Sequence, residues 1–155
     1  MQISKNFYLD EFITSQTAER LGIDNTPSDI IVKNLTALVD NILQPVRDHY
    51  DRPITISSGY RCPKLNKAIG GAVSSQHMKG EAADIHIPGV PNHELAQFII
   101  DNFTFDQVIL EFYTLGKPDS GWVHVAYSRT NPNKKSVLTA VLKDKKTVYL
   151  QGLVV

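Results

Sequence analysis

Hydrophobic positions change period along this chain, helical spacing dominating early and strict alternation late. Residues about 8–21 predict a short helix ending at Gly22. A second helix has a strong start, with Thr26 as N-cap, Pro27 in the first turn and Asp29 three residues after the cap. Ile31, Leu35, Leu38, Val39, Ile42 and Val46 fall on one helical face, and Pro45 is expected to kink or end that helix. Ile54–Ser57 reads as a strand, residues 63–69 as a short helix stopped by Gly70-Gly71, and Ala82–Ile87 as a strand closed by Pro88-Gly89. A helix over 92–102 buries Leu95, Phe98 and Ile99. Strands follow at 106–113, 121–127, 137–142 and 147–151, the last two joined by a polar turn at Lys143–Lys146. Helices first and mainly antiparallel strands after predict an α+β class, with N-terminal helices packed on the sheet.

Composition narrows the picture. The 155 residues contain no repeat and no low-complexity linker, so a single domain over 1–155 is expected. Sixteen basic and sixteen acidic residues cancel, which leaves no net field for nucleic acid or an anionic membrane. No apolar run approaches the roughly 18 residues of a membrane span, and the first six residues carry no apolar signal core. The expectation is a protein made in the cytoplasm without a signal peptide. Cys62 is the sole cysteine and cannot close an intrachain disulfide.

The alternation also sorts the chemistry. Asp84 and His86 share one strand face; Trp122, His124 and Ala126 share another; Gln107, Ile109, Glu111 and Tyr113 a third. The opposite faces are apolar and suit a core. His77 precedes Asp84 by seven residues, and Gly80 lets the chain turn so that His77 comes back over the strand. With His124, forty residues after Asp84, the set is two imidazoles and one carboxylate. Such a set holds zinc and leaves a position for water, the arrangement of hydrolytic sites.

The bland readings stand beside these. His77 reads equally as a surface loop histidine and Asp84 as a cap; Glu111 as a glutamate on a sheet edge; Arg61 as one half of a structural ion pair. Against the second, Glu111 sits inside Val108-Ile109-Leu110 and Phe112-Tyr113, where an ionised carboxylate is costly unless a cation meets it. Arg61 follows Ser57-Ser58-Gly59-Tyr60, and its planar guanidinium suits a carboxylate. Gln76 is a candidate donor to substrate or a loop cap. His86 is a weaker candidate for the site; His49, His93 and Cys62 are set aside.

In Ser57-Ser58-Gly59-Tyr60-Arg61, Leu65-Asn66, Gly70-Gly71, Ser75-Gln76-His77, Gly80-Glu81-Ala82-Ala83-Asp84 and Trp122-Val123-His124-Val125 the chain resembles the zinc D-Ala-D-Ala carboxypeptidase and endopeptidase superfamily, above all its phage-associated branch. The likeness runs over residues 3 to 128. It implies the α+β fold shared with the hedgehog signalling domain. It implies Zn2+ on His77, Asp84 and His124, and Arg61 facing a substrate carboxylate or carbonyl. Many relatives carry the catalytic base three residues before the last ligand, where this chain has Gly121. The base is therefore placed on Glu111, with Asp119 as fallback.

The resemblance implies a metallopeptidase that cuts peptidoglycan stem peptides, at a D-Ala-D-Ala end or an L-Ala-D-Glu bond. It would reach the wall after release, as an endolysin does, or as part of a virion. The rival is a non-catalytic, zinc-stabilised module that binds the cell wall or a phage tail. A purely structural zinc has no use for a buried base, so Glu111 separates the two.

Overall fold

The computed structural model describes residues 1–155. A two-stranded hairpin opens the chain, β1 (Gln2–Ser4) and β2 (Phe7–Tyr8), which the sequence pattern had not revealed. The helix expected over 8–21 is two, α1 (Asp10–Ile13) and α2 (Gln16–Leu21). Ser15 divides them: its hydroxyl caps the second by accepting from the Ala18 N–H. Gly22 ends α2 in the left-handed conformation, as expected.

The long helix begins later than predicted, at Asp29, and Ser28 rather than Thr26 is its cap; the Thr26 hydroxyl is spent on Asp24. It continues through Pro45 instead of ending there. The segment α3 (Asp29–Leu38) widens into a π turn at Val39–Leu43 and resumes as α4 (Gln44–Tyr50). Pro45 thus follows the π turn directly, where the Gln44 N–H bonds back to the Val39 carbonyl and the helix runs on past the donor that Pro45 lacks. The predicted apolar face is real: Leu35, Leu38, Val39, Ile42 and Val46 are fully buried, while Ile31 packs at the margin of the core. Each such side chain contributes about 1.5–3 kcal/mol by leaving water.

Then come β3 (Thr55–Ser58), α5 (Pro63–Ala68), a 3₁₀ turn (Gln76–Lys79), β4 (Ala82–His86), α6 (Asn92–Asn102), β5 (Gln107–Glu111), β6 (Trp122–Ala126), β7 (Ser136–Lys143) and β8 (Lys146–Gln151). Cys62 caps α5, its sulfur accepting from the Leu65 N–H. Six strands form one sheet in the order β3-β4-β6-β5-β7-β8. All neighbours are antiparallel except β5 and β7, which run parallel. The class is α+β, as expected.

Strand parity divides the sheet as the alternation implied. Ala83, Ile85, Val108, Leu110, Val123 and Val125 join the helices in the core. The register sets Asp84 opposite His124, His124 opposite Ile109, and Glu111 opposite Trp122, all on the other face. Those rows carry the site. No helix is long and apolar enough to cross a membrane.

Candidate active site

His77 lies in the 3₁₀ turn, capped by the Ser75 hydroxyl, which accepts from the His77 N–H. Gly80 closes that turn at φ +68°, against Ile31 and Leu35 of α3, so a side chain there would meet both left-handed strain and a packed helix. The turn is also fixed to the segment after β3. The Arg61 N–H donates to the His77 carbonyl, and the His77 ring donates from Nδ1 to the Gly59 carbonyl at 2.8 Å. Buried Asn25, which the sequence reading passed over, holds this segment from behind. Its amide donates to the carbonyls of Ile13 and Tyr60 and accepts from the Cys62 N–H.

Asp84 and His124 face each other across β4 and β6. Asp84 Oδ1 lies 3.4 Å from His77 Nε2 and 3.1 Å from His124 Nδ1. One ligand atom from each of the three residues falls within 4.8 Å of the others. Metal–ligand bonds of about 2.0–2.1 Å around tetrahedral zinc put neighbouring ligand atoms about 3.3 Å apart, close to both distances from Asp84 to the histidines.

The far sides of the rings make the stronger argument. His77 Nδ1 faces the Gly59 carbonyl, and His124 Nε2 faces the Gln76 side-chain oxygen at 3.0 Å. Both partners only accept hydrogen bonds, so each neutral imidazole carries its proton on that side. Two lone pairs then point at one carboxylate. A cation between them removes the conflict, and two imidazoles with one carboxylate suit Zn2+. Burial alone would raise the Asp84 carboxyl, but hydrogen bonds and positive charge at the two rings outweigh it and hold Asp84 well below the usual carboxylate range, so the pocket accommodates a cation in either form, as protons on the facing nitrogens or as a metal between neutral rings.

Around these residues lies a cleft of about 560 Å³, lined also by Arg61, Gln76, Ile109, Glu111, Trp122 and Tyr149. Glu111 is no edge glutamate. It sits on β5, between β6 and β7, and is half-buried. Burial pushes its carboxyl up to about 7, helped by the Asp84 charge and opposed by His124 and Arg61. Arg61 is half-buried too and makes no ion pair; Nη2 reaches the Ser75 hydroxyl at 3.5 Å and Nε has no partner. Burial lowers its pKa against the pull of Asp84 and Glu111. The buried Trp122 N–H makes no full hydrogen bond, though it lies close enough to the Glu111 carboxyl to help hold its pKa down. The unused Arg61 donor in a walled cleft is a place for a ligand's acceptor.

Gly121, where many relatives were expected to carry the base, is closed to side chains. Its φ is +67°, and a Cβ would collide with the Glu111 carbonyl oxygen and with Phe112. Asp119, the fallback base, is exposed and lines a separate depression with His86 and Asn92. His49 stacks on Phe98, centroids 4.0 Å apart, away from the cleft. Tyr149 was not foreseen. It sits beside Ala140, which is beside Glu111, and this small residue lets the phenol reach the cleft. The sequence signal was present, since Tyr149 is an aromatic residue on the alternating pattern of the last strand, but nothing local said that β7 would pair with β5.

The peptidase M15 family profile matches residues 5–126. The chain belongs to the peptidase M15 family. All three candidate ligands, Arg61, Gln76 and Glu111 fall inside the matched segment, whereas Tyr149 and the β7–β8 hairpin fall outside it. A zinc D-Ala-D-Ala carboxypeptidase of Streptomyces albus G is 49% identical over 35 residues. That stretch is 23% of this M15 chain and only 14% of the Streptomyces protein.

Proposed function

We propose that this M15 peptidase is a zinc-dependent hydrolase of peptide bonds in bacterial peptidoglycan stem peptides, of D-Ala-D-Ala or L-Ala-D-Glu type. We place it as a single domain over residues 1–155, of phage or prophage origin, acting on the wall after release or from a virion. The family match and the activity named for the Streptomyces relative support the substrate class. The observation that carries the reading is Glu111, a half-buried carboxyl near neutrality in the same cleft as the His-Asp-His set.

His77, Asp84 and His124 would hold the metal. When bound, zinc supplies a Lewis acid that acidifies water and polarises a carbonyl. Glu111 takes the proton of the attacking water as its C–O bond forms. It then gives that proton to the amine nitrogen as the C–N bond breaks, so the products are a carboxylate and an amine. Burial that raises the Glu111 carboxyl above its ordinary value, opposed by the charge of a bound cation, suits both halves of that task. Arg61 presents its free Nε–H to a carboxylate or carbonyl of the peptide, and the Trp122 N–H lies beside the Glu111 carboxyl and steadies its ionised form. Tyr149 and Leu138 wall the side of the cleft contributed by the last hairpin.

Digesting purified muropeptides and weighing the products by mass spectrometry tests the proposal. Cleavage should stop on adding a chelator and return with zinc. Glu111→Ala should keep its zinc and lose about 10²–10⁴-fold in rate. Undiminished cleavage by that variant would remove Glu111 as the base.

A further inference from the structure

The proton on His124 Nε2 is dictated from outside the cleft. Asp106, in the turn between α6 and β5, has an acceptor-only carboxylate. Its Oδ1 accepts from the Lys134 backbone N–H at 3.2 Å, and its Oδ2 accepts from the Gln76 side-chain N–H at 2.9 Å. The Asp106 carbonyl also accepts from the Ser136 N–H at 3.0 Å, so the residue is tied into the start of the parallel β5–β7 pairing. An amide that donates to Asp106 must turn its oxygen the other way. That oxygen is 3.0 Å from His124 Nε2, which must then carry the hydrogen. The lone pair is left on Nδ1, the nitrogen 3.1 Å from Asp84.

We infer that Asp106 and Gln76 are positioning residues that fix the tautomer and ring orientation of His124 for metal binding. The inference rests on the zinc reading of His77, Asp84 and His124. It gives Gln76 a different task from the substrate contact expected of it, because both ends of its amide are already engaged. It gives Asp106 a task where the sequence offered none. The Glu81 carboxyl, near enough for the Asp106 charge to help raise its pKa, shares no contact with His124 and is no substitute. Without Asp106, the Gln76 amide is free to flip. Its N–H₂ would then face His124 Nε2 and favour the tautomer that puts a hydrogen where the metal binds.

Two readouts test this. One is zinc affinity, by competition with a chromophoric chelator, for the wild type, Gln76→Leu and Asp106→Ala. The other is the 15N signature of the His124 ring in the zinc-free protein above about pH 8, where an ordinary imidazole is neutral. Both variants should bind zinc about 10–100-fold more weakly, and His124 should pass from the Nε2–H form to a mixture. Asp106→Ala also frees the Lys134 N–H; Gln76→Leu disturbs no backbone bond and keeps the test sound if the first variant folds poorly. Variants within about threefold of wild-type affinity, with His124 still wholly Nε2–H, would overturn the inference. A wild type that binds no zinc would defeat the metal reading instead, while the ring signature would still judge the relay.

Discussion

At the residue scale, the balance at Glu111 decides most. Its ordinary value is 4.5 and the fold raises it to about 7, chiefly by burial. The folded state therefore holds a proton that the unfolded chain has already lost. That contribution to stability is full below about 4.5 and disappears as pH rises through about 7. In chelator, Glu111→Gln should thus gain on the wild type in melting temperature between pH 5 and pH 8. Equal slopes for the two proteins would show Glu111 to be well solvated. A bound cation favours the ionised carboxylate, so the acidic limb of kcat/KM should have its midpoint below about 7. The cost of burying Glu111 was legible from its apolar neighbours. Asp106 was not, because its contact with the site runs through a glutamine thirty residues away.

At the element scale, parity was the readable quantity. Alternation along β4, β5 and β6 placed Asp84, His124 and Glu111 on one face because side chains in a strand have no other choice. Which strands pair is set by long-range packing, and here the pattern was silent. The parallel β5–β7 pair, which brings Tyr149 beside Ala140, was outside its reach. So was the π turn that carries the long helix past Pro45. The turn before β6 gives a test. Gly121→Ala sets a Cβ against the Glu111 carbonyl at a positive φ, so it should cost more than about 1 kcal/mol by denaturant unfolding. It should also depress activity, since Glu111 must shift to make room. A neutral substitution would mean that the β5–β6 connection is looser than described.

At the scale of the whole molecule, the helices and the apolar sheet face make the core, and the opposite face is left to carry charge. The core has its own driving force in fully buried side chains such as Leu38 and Ile42, so the chain should fold without metal. Zinc should then add stability by mass action, about 2.7 kcal/mol at a hundredfold excess over Kd. For a chain of this size that is a rise in melting temperature of about 5–10 °C, absent in His124→Ala. A variant that still responds in full would place the ion elsewhere.

Zinc K-edge X-ray absorption on the one-to-one complex of untagged protein addresses the centre itself. The structure predicts two imidazole nitrogens, one carboxylate oxygen and one water oxygen, at about 2.0–2.2 Å. Sulfur scattering at about 2.3 Å, which only Cys62 or a methionine would supply, or a shell closed by four protein ligands, would contradict it.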